Sequence, residues 1–296
     1  CLARGDVQQL EPRLTRPYLS YERAFLRRVE PRRVRRGWLV VPLSHAITQL
    51  DAVAATTTQE SEILRCSFEG LTREAPGAEV APWLAETIES EDGGKTYQVR
   101  LRDHLRFHDG RKVTAWHVRR SWERALRRGA ERASTVLRFI AGAKSVISGE
   151  ESELGGVEVL SPLEFRVSLE RATPQFRAML SDPSAVVFGD AFEGSPVDRA
   201  FGCVGTGPFR VKSFEPGRRI ELEANPYYFR SGYPKCDGVT FTLGVEPEEA
   251  FRRFAADQVS LLSDPPKVDA GSDGHDWVTL EIPVLATTAL FFNTHA

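Results

Sequence analysis

Cysteine is scarce, with four in 296 residues (Cys1, Cys66, Cys203 and Cys236) and no CxxC pair among them. That spacing leaves zinc ribbons and thioredoxin-type redox motifs without support. Cys203 and Cys236 would pair only if their strands meet. Long apolar runs are also missing, and no stretch approaches the roughly 18 residues that a membrane-spanning helix needs. Neither charge sign dominates: the net charge is −2, so no global basic field points to nucleic acid. The familiar catalytic signatures are absent as well. There is no GxSxG elbow, no HExxH and no GxxxxGK[ST] phosphate cradle. "GCVGTGPF" (202–209) is glycine-rich but wrongly spaced for a dinucleotide fingerprint, and Pro208 blocks a helix there. Carboxylate pairs such as Glu150/Glu151 and Glu248/Glu249 sit in polar surroundings and read as solvated surface. No enzyme and no cofactor is expected.

What is present is a 41% hydrophobic, 27% charged chain, long enough for one large domain or two ordinary ones. Its charge is unevenly spread. Residues 1–36 hold ten Arg against four acids, a balance of +6 that leaves −8 for the remainder. Tyr18, Tyr21, Phe25 and Val29 recur at helical spacing, which predicts a helix from about Pro17 to Val29 and an Arg-rich linker after Pro31. With no aromatics among the arginines, this segment reads as a solvated connector to a preceding domain rather than a nucleic-acid or membrane patch. The chain opens on Cys1 with neither Met nor a signal-peptide pattern, and is expected to be a piece of a longer protein. The competing reading is a mature lipoprotein, against which "CLARGDVQQLEPRL" offers no Gly/Ser tether.

From "GWLVVPLS" (37–44), a strand, the pattern is mixed α/β. "TYQVRLR" (96–102) alternates, with Tyr97, Val99 and Leu101 on one face and Gln98, Arg100 and Arg102 on the other. Asp92-Gly93-Gly94 is the turn that starts it. "LEFRVSLE" (163–170) repeats the alternation, and "PFRVKSFEPGRRIELEANP" (208–226) reads as two strands joined at Pro216-Gly217. Helices are predicted near 59–68, 114–127, 134–147, 174–180 and 247–257, the second capped by Thr114 with Ala115, Val118, Trp122 and Leu126 inward.

"RLRDHLRFHDG" (100–110) raises the one prospect of a metal site, with His104 and His108 four residues apart and Asp103 and Asp109 beside them. The preceding period-two alternation and the Asp109-Gly110 turn argue for a strand running into a turn. His117 is the only nearby third ligand, so no metal is expected.

Five strings, in order, carry a family resemblance. They are "LDAVAATTTQESEILRCSFEGLT" (50–72), "PWLAETIESEDGGKTYQVRLRDHLRFHDGRKVTAWHVRRSWERAL" (82–126), "GVEVLSPLEFRVSLERATPQF" (156–176), "GTGPFRVKSFEPGRRIELEANPYYF" (205–229) and "TTALFFNTHA" (287–296). Together they resemble the large solute-binding proteins of bacterial ABC importers for peptides, the oligopeptide, dipeptide and nickel binding group, and in spacing the oligopeptide branch. The resemblance implies an α/β (mixed α+β), periplasmic-binding-protein-like multi-lobe fold. Lobe one would be 37–60 plus 200–296, lobe two 61–199, and the C-terminal lobe would be missing from the chain. It also implies a peptide ligand captured by hinge closure, an ABC permease as partner, and a periplasmic or extracytoplasmic, membrane-associated location. In that branch the loop after "LD" contacts the peptide, which here implies Thr56, Thr57, Thr58 and Gln59 as ligand-binding residues. A capping role for the same hydroxyls is the alternative. Two positions depart from the family pattern. "RRGAERAST" has no aromatic after the "SWER" helix, and Trp116-His117-Val118 replaces the Asp of "TAxDV". The rival function is a cytoplasmic ligand-sensing module of the same fold, joined through residues 1–36 to a regulatory or DNA-binding domain.

Overall fold

The computed structural model describes residues 20–27, 37–48, 51, 57–75, 79–90, 92–128, 135–190, 203–263 and 277–284. Two four-stranded sheets organise it. The first joins β2 (Trp38–Pro42) to three later strands, β11 (Phe209–Glu215), β12 (Arg219–Ala224) and β13 (Gly238–Thr242), in the order β11-β12-β13-β2. The β11-β12 and β12-β13 pairs are antiparallel and β13-β2 is parallel, so this sheet is mixed. The second, in the order β5-β6-β8-β7, is antiparallel throughout, built from β5 (Ala85–Glu89), β6 (Thr96–Leu101), β7 (Val157–Val159) and β8 (Glu164–Ser168). Two short hairpin pairs, β3 (Thr72–Ala75) with β4 (Glu79–Pro82) and β9 (Gly189–Asp190) with β10 (Cys203–Val204), lie outside these sheets.

Local chemistry explains the elements. In β6, Tyr97, Val99 and Leu101 are buried while Gln98 and Arg100 face solvent, as period-two alternation requires. Its start is fixed by Asp92, whose Oδ1 accepts from the backbone N–H groups of Lys95 (3.0 Å) and Thr96 (2.7 Å). Gly93 and Gly94 take the positive φ values this turn needs, 69° and 95°. β8 buries Phe165 and Val167, with Leu169 just beyond it. Gly217, φ 72°, turns β11 into β12.

Helix α1 (Thr58–Ser67) precedes β3, and α2 (Ala115–Arg127) buries Ala115, Val118, Trp122 and Leu126 as the sequence predicts. Trp122 sits edge-on to Phe165 and donates from Nε1 to the Ala185 carbonyl at 3.2 Å, so the indole N–H is not left unpaired in the core. The stretch predicted as one helix over 134–147 is broken. Ile140 bridges to Leu169, and Gly142, φ 80°, starts a separate short helix α3 (Ala143–Ser148). Helix α4 (Phe176–Met179) is a single turn. Helix α5 (Pro247–Ala255) covers a small satellite core of Ala250, Phe254, Val259 and Leu262.

The N-terminal prediction is overturned. Residues Ser20–Arg27 are a strand, β1, not part of a helix, and β1 pairs antiparallel with both β14 (Leu261–Leu262) and β15 (Trp277–Val284). The four-residue spacing of Tyr21 and Phe25 fits period two as well as period 3.6, so the apolar pattern alone was ambiguous. Tertiary pairing decides it: every residue of β1 has a partner in β15. The rest of the predicted connector, 1–19 and 28–36, lies outside the described residues.

Candidate functional site

The loop entering α1 was expected to touch ligand. Thr56 lies outside the described residues. Thr57 is the N-cap: its Oγ1 accepts from Glu60 N at 3.1 Å, and Glu60 Oε2 accepts from Thr57 N at 2.9 Å, a reciprocal capping box. Gln59 braces the same helix end against the loop after β2. Its Oε1 accepts from His45 N (2.9 Å) and its Nε2 donates to Ser44 Oγ (2.8 Å). Thr58 is exposed. Two of the expected contacts are therefore spent on holding the loop, as is the Thr57 backbone, whose N–H donates to Glu60 and whose carbonyl accepts from Ser61, while the Thr58 side chain is left facing outward. Thr57→Ala is expected to lower stability by about 1 kcal/mol, read as a lower urea midpoint at unchanged m-value. A loss under about 0.3 kcal/mol would mean that the Thr57 hydroxyl does not cap the helix.

The histidines resolve as structure. His108 is buried, its backbone N–H donates to Gly205 O (2.9 Å), and its Nε2 lies 3.1 Å from Gly207 O as donor. Burial pushes its imidazole down to about 4, so it is neutral at physiological pH. Gly110, φ 86°, completes the turn expected at 108–110. His104 is an exposed neighbour of Asp103, at 2.9 Å. His117 stands at the third position of α2, and its Nδ1 accepts from Thr114 N at 3.1 Å. The ring thus does there what the family's aspartate could do, and burial lowers its pKa in keeping with an accepting nitrogen. Among the described residues no group of three His, Cys, Asp or Glu side chains is arranged to hold a metal. Cys66 is a thiol, and the side chain of Cys203 lies outside the described residues.

The "GCVGTGPF" segment is a junction rather than a nucleotide loop. Gly207 O accepts from both His108 Nε2 and Asn225 Nδ2 (2.8 Å), while Gly207 N donates to Ser67 O (2.9 Å) at the end of α1. The glycines serve close approach: a Cβ on Gly205 would stand 1.9 Å from Ser67 O.

Beside this junction lies a cleft of about 330 Å³ that the sequence reading missed. At its side is Glu69, 8% exposed, the first residue after Phe68. Its Oε1 accepts from Trp83 Nε1 (2.7 Å) and from Tyr228 OH (2.8 Å). Its Oε2 is buried with no hydrogen-bond partner among the described residues. Burial is the main cause that raises its pKa to about 7, against the lowering effect of those two hydrogen bonds and of Arg73 and Arg230 nearby. The Arg73 guanidinium stacks 4.6 Å from the Trp83 ring centre, and that of Arg230 lies 5.1 Å from Trp83 and 4.4 Å from Tyr233. The available signal was a lone acid inside the apolar run Phe68-Glu69-Gly70-Leu71, a place where a carboxyl needs partners.

Comparison with known proteins decides the family. Residues 79–296 match the bacterial extracellular solute-binding proteins, family 5, middle region. The chain belongs to this family. A dipeptide-binding protein of Lactococcus lactis is 31% identical over 212 residues, covering 67% of this chain and 38% of the relative. Oligopeptide-binding protein AppA of Bacillus subtilis is 27% identical over 238 residues, covering 77% and 41%. In fold, the murein tripeptide binding protein MppA of Escherichia coli superposes with a TM-score of 0.67 at 22% identity, over 75% of this chain and 44% of that one. The mixed α/β, periplasmic-binding-protein-like fold expected from the sequence is therefore present. This family 5 chain spans less than half the length of these relatives. The relatives are binding proteins, and among the described residues no helix is long and apolar enough to cross a membrane.

Proposed function

We propose that this chain is part of an extracytoplasmic solute-binding protein that captures peptides by closure and delivers them to an ABC-type importer, with no catalytic step of its own. The observation that carries this reading is the family match over 79–296, together with relatives named for dipeptide and oligopeptide binding. On this reading the mixed sheet β11-β12-β13-β2 marks lobe one, over 37–60 plus 200–296. The sheet β5-β6-β8-β7 marks lobe two, over 61–199. On the same reading the expected contact loop, Thr56, Thr57, Thr58 and Gln59, meets an extended peptide through the exposed Thr58, whose backbone and hydroxyl can give affinity without reading side chains. Gln59 and the Thr57 hydroxyl act by holding that loop still. The rival cytoplasmic sensor takes residues 1–36 as its connector, and the pairing of Ser20–Arg27 with β15 speaks against the helical part of that connector.

The test uses the full-length protein encoded by the gene. A mixed di- to hexapeptide pool at about 100 times Kd should add roughly 2.7 kcal/mol, or at least about 2 °C in melting temperature. Thr58→Ala should weaken binding while leaving the unliganded melting point within about 1 °C. No shift with any pool would sink peptide capture and leave the fold assignment standing.

A further inference from the structure

The Glu69 cleft lies at the other end of α1 from the Thr57–Thr58 loop. Helical rise puts the two ends of this ten-residue helix roughly 15 Å apart, so the cleft stands independently of the peptide reading. Three features point to an occupant. First, Arg73 and Arg230 are held in place by stacking on Trp83 and Tyr233, which orders their guanidinium forks before any ligand arrives. Second, neither guanidinium makes an ion pair or hydrogen bond among the described residues. The buried carboxyl near them, Glu69, gives its Oε1 to Trp83 and Tyr228 instead, and burial raises its pKa to about 7. Third, the remaining wall is mixed, with Phe68, Val186, Pro208 and Pro234 forming an apolar side and Arg65, Glu74 and Asp182 adding charge at the polar one. A cavity of about 330 Å³ with one apolar side and two ordered forks at its polar side has the make-up of a small-ligand site.

We propose that this cleft binds a small organic carboxylate with a compact apolar body, its carboxylate on the guanidinium groups of Arg73 and Arg230. Planar guanidinium forks match carboxylate oxygens in geometry, and the stacked rings leave their N–H edges available.

Benzoate is a suitable probe, with benzamide as its neutral isostere, titrated calorimetrically into the full-length protein. Benzoate should bind at least about tenfold more tightly than benzamide, as loss of a charge-assisted pair predicts. Arg73→Gln and Arg230→Gln should each weaken benzoate by about tenfold or more. Circular dichroism on both variants checks that they fold, and Arg230→Lys should restore less than half of the lost binding free energy, because an ammonium lacks the planar fork. Equal binding of benzoate and benzamide would overturn the proposal by showing an apolar hole only. So would benzoate binding that is indifferent to both arginines. No benzoate binding by the full-length protein would overturn it too, since other parts of the polypeptide would then fill the cleft.

Discussion

Replacing Gly205 with alanine is expected to cost about 3 kcal/mol or more of folding stability, at the upper end of what overpacking a tight site costs. The added Cβ would meet Ser67 O at 1.9 Å, Ser67 C at 2.9 Å and Phe68 Cδ1 at 3.0 Å. Two of those three are backbone atoms at the end of α1, which cannot rotate away. Relief would have to come from parting the junction, and with it the bonds from His108 N to Gly205 O and from Gly207 N to Ser67 O, both 2.9 Å. Gly207 is nearly as confined, with Cys66 O at 2.6 Å from its would-be Cβ, so shifting the strain along the segment offers no escape. Gly155 is the control: nothing lies within 4 Å of its would-be Cβ, and alanine there should be neutral within about 1 kcal/mol. Urea unfolding of the two variants beside the parent decides the matter. A Gly205→Ala variant within about 0.5 kcal/mol of the parent would mean that the junction is not tight.

The second large effect is a pair of opposed pH dependences, from Glu69 and His108. Glu69 has its folded pKa raised from 4.5 to about 7, so its contribution is fully present below pH 4.5 and lost as pH rises through 7. His108 has its folded pKa lowered from 6.5 to about 4, so its contribution is present above pH 6.5 and lost as pH falls through 4. Each shift corresponds to about 3 kcal/mol. Between roughly pH 4.5 and 6.5 the two therefore oppose each other, and the parent profile is flatter than either group alone would make it. Glu69→Gln keeps an oxygen for Trp83 and Tyr228 but removes the titration. That variant should lose about 3 kcal/mol on acidification from pH 6.5 to 4 through His108. The stability of the parent minus that of the variant should fall by about 3 kcal/mol from pH 4.5 to 7.5. Denaturant unfolding at four pH values measures it. Parallel curves would show that the Glu69 carboxyl titrates normally.

Both effects arise at places that were visible in the sequence without their meaning being so. The glycines of "GCVGTGPF" and the two histidines of "RLRDHLRFHDG" stood out at once. That Gly205 and Gly207 pack against Ser67 at the end of α1, and that His108 closes onto Gly207, depends on contacts between residues about a hundred or more positions apart in the chain. Glu69, Trp83 and Tyr228 are likewise separated by 14 and 159 positions, and only folding brings them to one carboxyl oxygen. The loop at Thr57–Gln59 was legible as a helix cap because capping is a local matter, settled within four residues.

Strand alternation in β6 and β8, the turns at Gly93-Gly94 and Gly217, the apolar face of α2 and the family were all determined by the sequence itself. Each rests on a short-range pattern of period two, period 3.6 or positive φ, or on strings that keep their order along the chain. Tertiary structure alone decided that Ser20–Arg27 is a strand, since a four-residue apolar spacing satisfies both periods until β15 supplies the backbone partners. It alone decided the break at Gly142, where the bridge from Ile140 to Leu169 outweighs helical propensity. The cleft at Glu69 belongs to the same class: a buried carboxyl, two stacked guanidinium groups and an apolar side are assembled from five separate stretches of chain, and no local rule connects them.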